Sequence, residues 1–241
     1  MKKHSLFREL LILQRSIPGI VTALFVIAVV SMNLLANKSI SLPVSWLALD
    51  CGFIFSWLVF LLMDIVTKRF GPRAATLLSV IALVCNLFVA LMLFIGAKIP
   101  GLWGESFIES GGDLVNTALN NTFAGTWFVL LGSSIAFLVS AVVNNYLNAA
   151  IGSRMRSDSF RTFALRSYVS TFIGQFVDNL LFALIVSLHF FGWSMIQCFT
   201  CALTGAAAEL LCEVIFSPVG YRIAKRWKAE NVGSEYLKLD A

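Results

Sequence analysis

Residues 172–184 read FIGQFVDNLLFAL, an apolar run with Gln175, Asp178 and Asn179 set in its middle. Back along the same segment, Ser167, Thr171, Gln175 and Asp178 follow at steps of four, four and three, which stacks them on one face of an α-helix. Three further segments carry such a face. Ser133, Ser140, Asn144 and Asn148 align with Phe137 between them, Asp50, Trp57 and Asp64 follow at steps of seven, and Gly205, Glu209 and Glu213 at steps of four. Carboxylates, amides and hydroxyls in continuous stripes face protein or water, not lipid.

The cost of those carboxylates depends on the medium. Hydrophobic residues make up 59% of the chain and charged residues 13%, and the mean hydropathy is +0.85, the composition of an integral membrane protein. A spanning helix takes roughly 20 mostly apolar residues, and six stretches qualify, near 17–36, 42–66, 74–96, 122–150, 163–191 and 194–220. The expected fold is an all-α polytopic helix bundle, with an interfacial amphipathic segment (1–16), a six-helix transmembrane domain (17–225) and a polar cytoplasmic tail (226–241). In the first segment Leu6, Phe7, Leu10 and Leu11 would lie on the bilayer while Lys2, Lys3 and Arg8 stay in water. Charge interrupts this start and no small-residue cleavage pattern follows, so it does not read as a cleavable signal peptide.

Lys and Arg mark the cytoplasmic side. Six alternating spans place sixteen of the eighteen basic residues on one face, and only Lys38 and Lys98 on the other. The opposite face receives Glu105, Glu109 and Asp113 in a Gly-rich connection over 97–121. Both termini are therefore expected in the cytoplasm, and the net charge of +5 follows from topology. Nucleic-acid binding is not indicated, since no basic-aromatic surface motif occurs.

Metal chemistry lacks ligands. The five cysteines (Cys51, Cys85, Cys198, Cys201 and Cys212) fall in predicted spans, the CFTC pair has no second pair, and His4 and His189 are the only histidines. Packing is the reading for these thiols. No cofactor is expected, and no G-x-x-x-x-G-K-[ST] loop is present, so ATP drive would need other subunits.

Serines and amides in membrane helices often only bond neighbouring helices, at about 0.6–2 kcal/mol each, and the stripe on 133–148 is open to that reading. An Asp at a helix centre costs about 2.5–3.5 kcal/mol and marks a pathway or a site by default. Asp64 also stands one turn before Lys68 and can pair with it. Asp178 and Glu209 have no such neighbour in sequence.

The segment MDIVTKRFGPRAA (63–75) resembles the signature of the queuosine-precursor transporter family, also called VUT. RSYVSTFIGQFVDNLLFALI (166–185) is similar to that family's fifth helix, and ELLCEVIFSPVGYRI (209–223) stands in the expected order behind it. The matching positions are Asp64, Gly71, Ser170, Gln175 and Asp178. Three positions depart, Asn179 where a Thr or Ser is frequent, and acidic Glu209 and Glu213 where some members carry a Lys. The resemblance implies uptake of a 7-deazapurine such as preQ0, preQ1 or queuine across the cytoplasmic (inner) membrane, for modification of tRNA. The chain would then be a transporter with no enzymatic role, its partners this solute and the lipid bilayer, with homo-oligomers left open.

A guanine-like base offers an N–H and an adjacent amino group as parallel donors, which one carboxylate accepts bidentately, and a flat face for stacking. Asp178 or Glu209 would be the acceptor, Gln175 and Asn179 would read the carbonyl edge, Trp57 or a Phe would stack, and Asp64, Thr171 and Asn144 would complete the site. Two other readings stay in view. One is the substrate-binding membrane component of an energy-coupling vitamin transporter, although its Ala-x-x-x-Ala docking face is approached here only by Gly19 and Ala23. The other is an intramembrane hydrolase using Asp64 and Asp178, although neither sits in a Gly-x-Gly-Asp context.

The sidedness is directly testable. A phosphatase reporter that is active only outside the cytoplasm should be inactive when fused at Ala241 and active when inserted at Trp103; the reverse pattern would overturn the topology.

Overall fold

The computed structural model describes residues 6–107, 112–155 and 157–239. Lys2, Lys3, His4, Glu109 and Arg156, which figure in the charge and ligand assignments, lie outside them. The helices in order are α1 (Leu6–Ser16), α2 (Gly19–Leu35), α3 (Phe53–Phe70), α4 (Pro72–Lys98), α5 (Gly112–Ser153), α6 (Phe160–Phe182), α7 (Leu188–Phe190), α8 (Met195–Ala229) and α9 (Ser234–Leu237). A π-helical turn, Ala183–Ser187, joins α6 to α7. The only β pairing among the described residues is an isolated bridge between Ser39 and Asp50.

Four segments are long and apolar enough to cross a bilayer: α4, α5, α6 continued through α7, and α8. The bent pair α1–α2 would make a fifth. Length and composition alone thus count four or five spans among the described residues, beside the six expected for the polytopic bundle. α2 has 17 residues, and α3 carries Asp64, Lys68 and Arg69 within its 18. α3 tolerates those charges because protein surrounds it. It packs on α2, α4, α5, α6 and α8, and every residue from Val59 to Thr67 is buried. A helix apolar nearly all round is an interior one.

The expected second span, 42–66, begins eleven residues late. Pro43 disfavours helix at Leu42, and α8 captures the non-helical chain that follows, which turns at Ser45 and Trp46. Gln197 donates to the Ser45 carbonyl at 2.9 Å, Thr200 to Trp46 at 2.7 Å and Thr204 to Ala48 at 3.0 Å. These donors stand at i, i+3 and i+7, one face of the helix. Asp50 consequently lies in a turn before α3 and shares no helical face with Trp57 and Asp64. The fourth span departs in the other direction. Its helix starts at Gly112 with Asp113 in the first turn and runs 42 residues, about 63 Å at 1.5 Å per residue, roughly twice the hydrocarbon thickness.

Pro218 interrupts the hydrogen bonding of α8, since it has no N–H for the Val214 carbonyl. Ser217 Oγ donates to that carbonyl at 3.1 Å, which meets the requirement that backbone groups in lipid be satisfied internally. Cys198 and Cys201 are buried and free, in keeping with packing.

The basic residues converge on one end. α3 and α4 meet at Gly71, whose φ of 88° is the left-handed region that favours glycine. Asp158, between α5 and α6, accepts from Lys68 Nζ at 2.6 Å and Lys228 Nζ at 2.7 Å. The Lys228 and Lys68 ammonium groups hold its carboxyl down at about 2, so this tie persists at any physiological pH. Lys68 is thereby engaged away from Asp64, and the one-turn pairing open in the sequence is not formed.

α1 meets α2 at 108°, with Leu6, Phe7 and Leu11 exposed, the attitude an in-plane helix needs. Its buried Glu9 is held bidentately by Arg73 Nε and Nη2 at 2.7 and 2.6 Å and accepts from Tyr236 Oη at 3.1 Å. One carboxylate thus fastens α1, α4 and α9. Replacing it by Ala is expected to destabilise the protein by about 1.5–3 kcal/mol, the range for hydrogen bonds to charged groups, read as a lowered Tm of the purified protein; an unchanged Tm would contradict this role.

Candidate functional site

The stripes on α5, α6 and α8 close on one another along the bundle axis. Ser133, Ser140, Asn144 and Asn148 are all buried, as are Ser167, Thr171, Gln175, Glu209 and Glu213. They form two clusters about one helical turn apart, since Ser140 and Asn144 on α5, and Glu209 and Glu213 on α8, each divide between them.

The outer cluster surrounds a cavity of about 20 Å³, lined among others by Asn33, Asp50, Ser56, Asp178, Asn179 and Glu209. Glu209 accepts from Ser56 Oγ at 2.5 Å and Asn179 Nδ2 at 3.4 Å. Asp178 accepts from Ser140 Oγ at 3.0 Å through Oδ1, and its Oδ2 has no donor among the described residues. Asp50 accepts from the Gly52 N–H at 2.7 Å, and Ser133 donates to Asn33. Gly205 makes room for this arrangement, because a Cβ there would lie 2.5 Å from Asn179 Nδ2. Three carboxylates face one small space without a cation in its lining, and Asn33 Nδ2, also in that lining, has no partner among the described residues. Phe53 and Phe182 supply its apolar walls.

The inner cluster centres on Asp64 and Glu213, and Glu213 Oε2 is buried without a partner among the described residues. Asp64 accepts from Asn144 Nδ2 at 3.0 Å, Thr171 Oγ1 at 3.4 Å and Ser167 Oγ. Ser167 Oγ also contacts Glu213. A hydroxyl has one proton to donate, so both contacts are hydrogen bonds only if one of the two carboxyls carries a proton. Asn148 donates to Ser170 at 3.2 Å, one turn nearer the basic end.

Gln175 lies on α6 between the two clusters. It is fully buried and neither Nε2 nor Oε1 has a partner among the described residues, a cost of about 1–3 kcal/mol for each stranded group.

Of the residues singled out in the sequence, Asp178, Asn179 and Glu209 share the cavity. Asp64, Thr171 and Asn144 form the inner cluster, and Gln175 lies between. Asp64 and Asp178 therefore belong to different clusters and make no aspartyl pair. Trp57 does not reach the cavity; its ring stacks on Phe216 of α8 at 4.5 Å and its Nε1 donates to the Ile54 carbonyl at 2.8 Å.

Sequence reasoning misses Asn33 and Ser56 and puts Asp50 on the wrong element. Ser56 has a signal, since it stands two steps of four before Asp64. Asn33 has a weaker one, as the single amide in α2.

A model of the family described as "Putative vitamin uptake transporter" matches residues 50–223, a span that includes every residue of both clusters except Asn33. No curated protein and no solved structure matches the chain. With well over half of its length matched, and with a helical, lipid-suited architecture around buried polar clusters, the chain belongs to the vitamin uptake transporter family of multi-pass membrane proteins.

Proposed function

We propose that the chain imports a 7-deazapurine of the queuosine-precursor type, such as preQ0, preQ1 or queuine, across the cytoplasmic (inner) membrane for tRNA modification. The observation that carries this reading is the convergence of Asp178, Asn179 and Glu209 on one intramembrane cavity. The unpaired Oδ2 of Asp178 and the oxygens of Glu209 accept the N–H and amino donors of a guanine-like edge. The stranded amide of Gln175 reads the carbonyl beside it, and Phe53 or Phe182 takes the stacking part in place of Trp57. A site between helices near the midplane is where secondary transporters bind their solutes.

A cavity of 20 Å³ has room for about one water. A bicyclic base enters only when the helices part, so the described state is a closed one in the transport cycle. α6 meets the cavity at Phe182, directly before the π-helical turn, an irregularity frequent at functional sites.

Labelled precursor should accumulate in cells that cannot synthesise it and carry the wild-type chain, and this uptake should be lost with Asp178→Ala; normal uptake in that variant would sink the proposal. Purified chain in liposomes should transport unaided, whereas a requirement for ATP-hydrolysing partners would favour the energy-coupling reading. Gln175 separates ligand recognition from packing. Gln175→Met should raise Tm, through about 1–3 kcal/mol recovered from the stranded amide, and lower uptake. Raised Tm with full uptake would remove Gln175 from the site.

A further inference from the structure

A second cavity, of about 300 Å³, opens at the basic end between α3, α6, α8 and the connection from α5 to α6. Lys68, Arg69, Arg166 and Lys228 line it, and Asp158 is the one carboxylate among its lining residues. We propose that this cleft binds a phosphate group, carried by a soluble phosphate compound or by a lipid headgroup, independently of which solute the transporter moves.

Positive charge at this end is expected from topology alone, so the charge count does not carry the proposal. Arg166 does. Its Nε and Nη2 have no hydrogen-bond partner among the described residues and are closed off from water, so a phosphate in the cleft reaches these two nitrogens when the part-exposed Arg166 side chain turns outward. Together they form the side edge of the guanidinium, whose two parallel N–H groups match two oxygens of one oxyanion. Arg73 shows the same edge at work in this protein, holding both oxygens of Glu9 at 2.7 and 2.6 Å.

The seat of Arg166 is built. A Cβ at residue 152 would lie 2.7 Å from its Nη1, so Gly152 provides the space the guanidinium occupies. The nearby carboxylates are otherwise engaged: Asp158 spans Lys68 and Lys228, and Asp64 takes its bonds from Asn144, Ser167 and Thr171. Four cations against one carboxylate leave a surplus that suits a dianionic tetrahedral group better than a single carboxylate. The volume is at the lower end of small-molecule sites, enough for a phosphate with part of what bears it. Arg166 is also adjacent in sequence to Ser167, the hydroxyl that bridges Asp64 and Glu213, so occupancy of the cleft acts next to the inner cluster.

The test uses the purified full chain. Inorganic phosphate, titrated at constant ionic strength against chloride, should raise Tm, and Lys228→Gln should weaken that response about tenfold or more, the scale of one charge-assisted hydrogen bond. Arg166→Gln should abolish it, while Arg222→Gln, a cation outside the cleft, should leave it intact. In parallel, the chain is reconstituted in nanodiscs containing phosphatidic acid, and the lipid retained on extraction is counted by native mass spectrometry. A phosphate response assigns the site to a soluble compound. No phosphate response, with lipid retention lost in Arg166→Gln and Lys228→Gln but kept in Arg222→Gln, assigns it to a headgroup. Absence of both effects, or equal losses in Arg222→Gln, would overturn the proposal.

Discussion

A carboxylate inside lipid must be solvated by the protein that holds it, and the bundle is organised around that demand. α3 carries Asp64 and is wrapped by five other helices, so its charge meets Asn144, Ser167 and Thr171 instead of lipid. α5, α6 and α8 each turn a polar stripe inward, and their outward faces remain apolar, as exposed Ile135, Val169 and Ile215 illustrate. Interhelical bonds of this kind are individually modest. Their arrangement matters more than their sum, because each buried acceptor without a donor is costly.

The two clusters answer the demand differently. Around Asp64 the donors come from the protein itself, from Asn144, Ser167 and Thr171, while Glu213 keeps its Oε2 without a partner among the described residues. Around Asp50, Asp178 and Glu209 four donors are spread over three carboxylates and a small cavity remains. An incompletely satisfied carboxylate set is a poor device for stability and a useful one for binding, since a solute bearing parallel donors completes it. Gln175, stranded between the clusters, follows the same logic. Along α6 the polar residues thus pass from the outer cavity through Gln175 and Ser167 to Arg166 at the basic cleft.

The stripes are legible in the sequence because polar residues at steps of three and four inside an apolar run must share a helical face turned away from lipid. Ser167, Thr171, Gln175 and Asp178 fall on one face as spaced, and the segregation of Lys and Arg anticipates the basic end. Hydropathy fails where apolar residues fold otherwise than as helix. The stretch SLPVSWLALD is apolar, yet Pro43 and the donors of Gln197, Thr200 and Thr204 keep it out of helix, and no local pattern announces a partner about 150 residues away. The first ten residues of α5 escape hydropathy for the opposite reason, being helical without being apolar. Trp57 lies only about 20° off the face of Asp64 by spacing, yet its ring stacks on Phe216 of α8, a contact that spacing along one helix does not announce. Arg166 reads in sequence as one more topological marker, since nothing there says that its guanidinium edge goes unpartnered.

Recognition of the donor edge of a guanine-like 7-deazapurine by the outer carboxylate cavity is tested most directly by equilibrium binding. Queuine-related bases, set against adenine and hypoxanthine, are titrated into the purified wild-type chain and into Asp178→Asn. Preference for the bases with adjacent N–H and amino donors is expected, with a loss of about tenfold or more in the variant, the scale for one charge-assisted contact. Equal affinity for all the purines, or undiminished binding by Asp178→Asn, would contradict it.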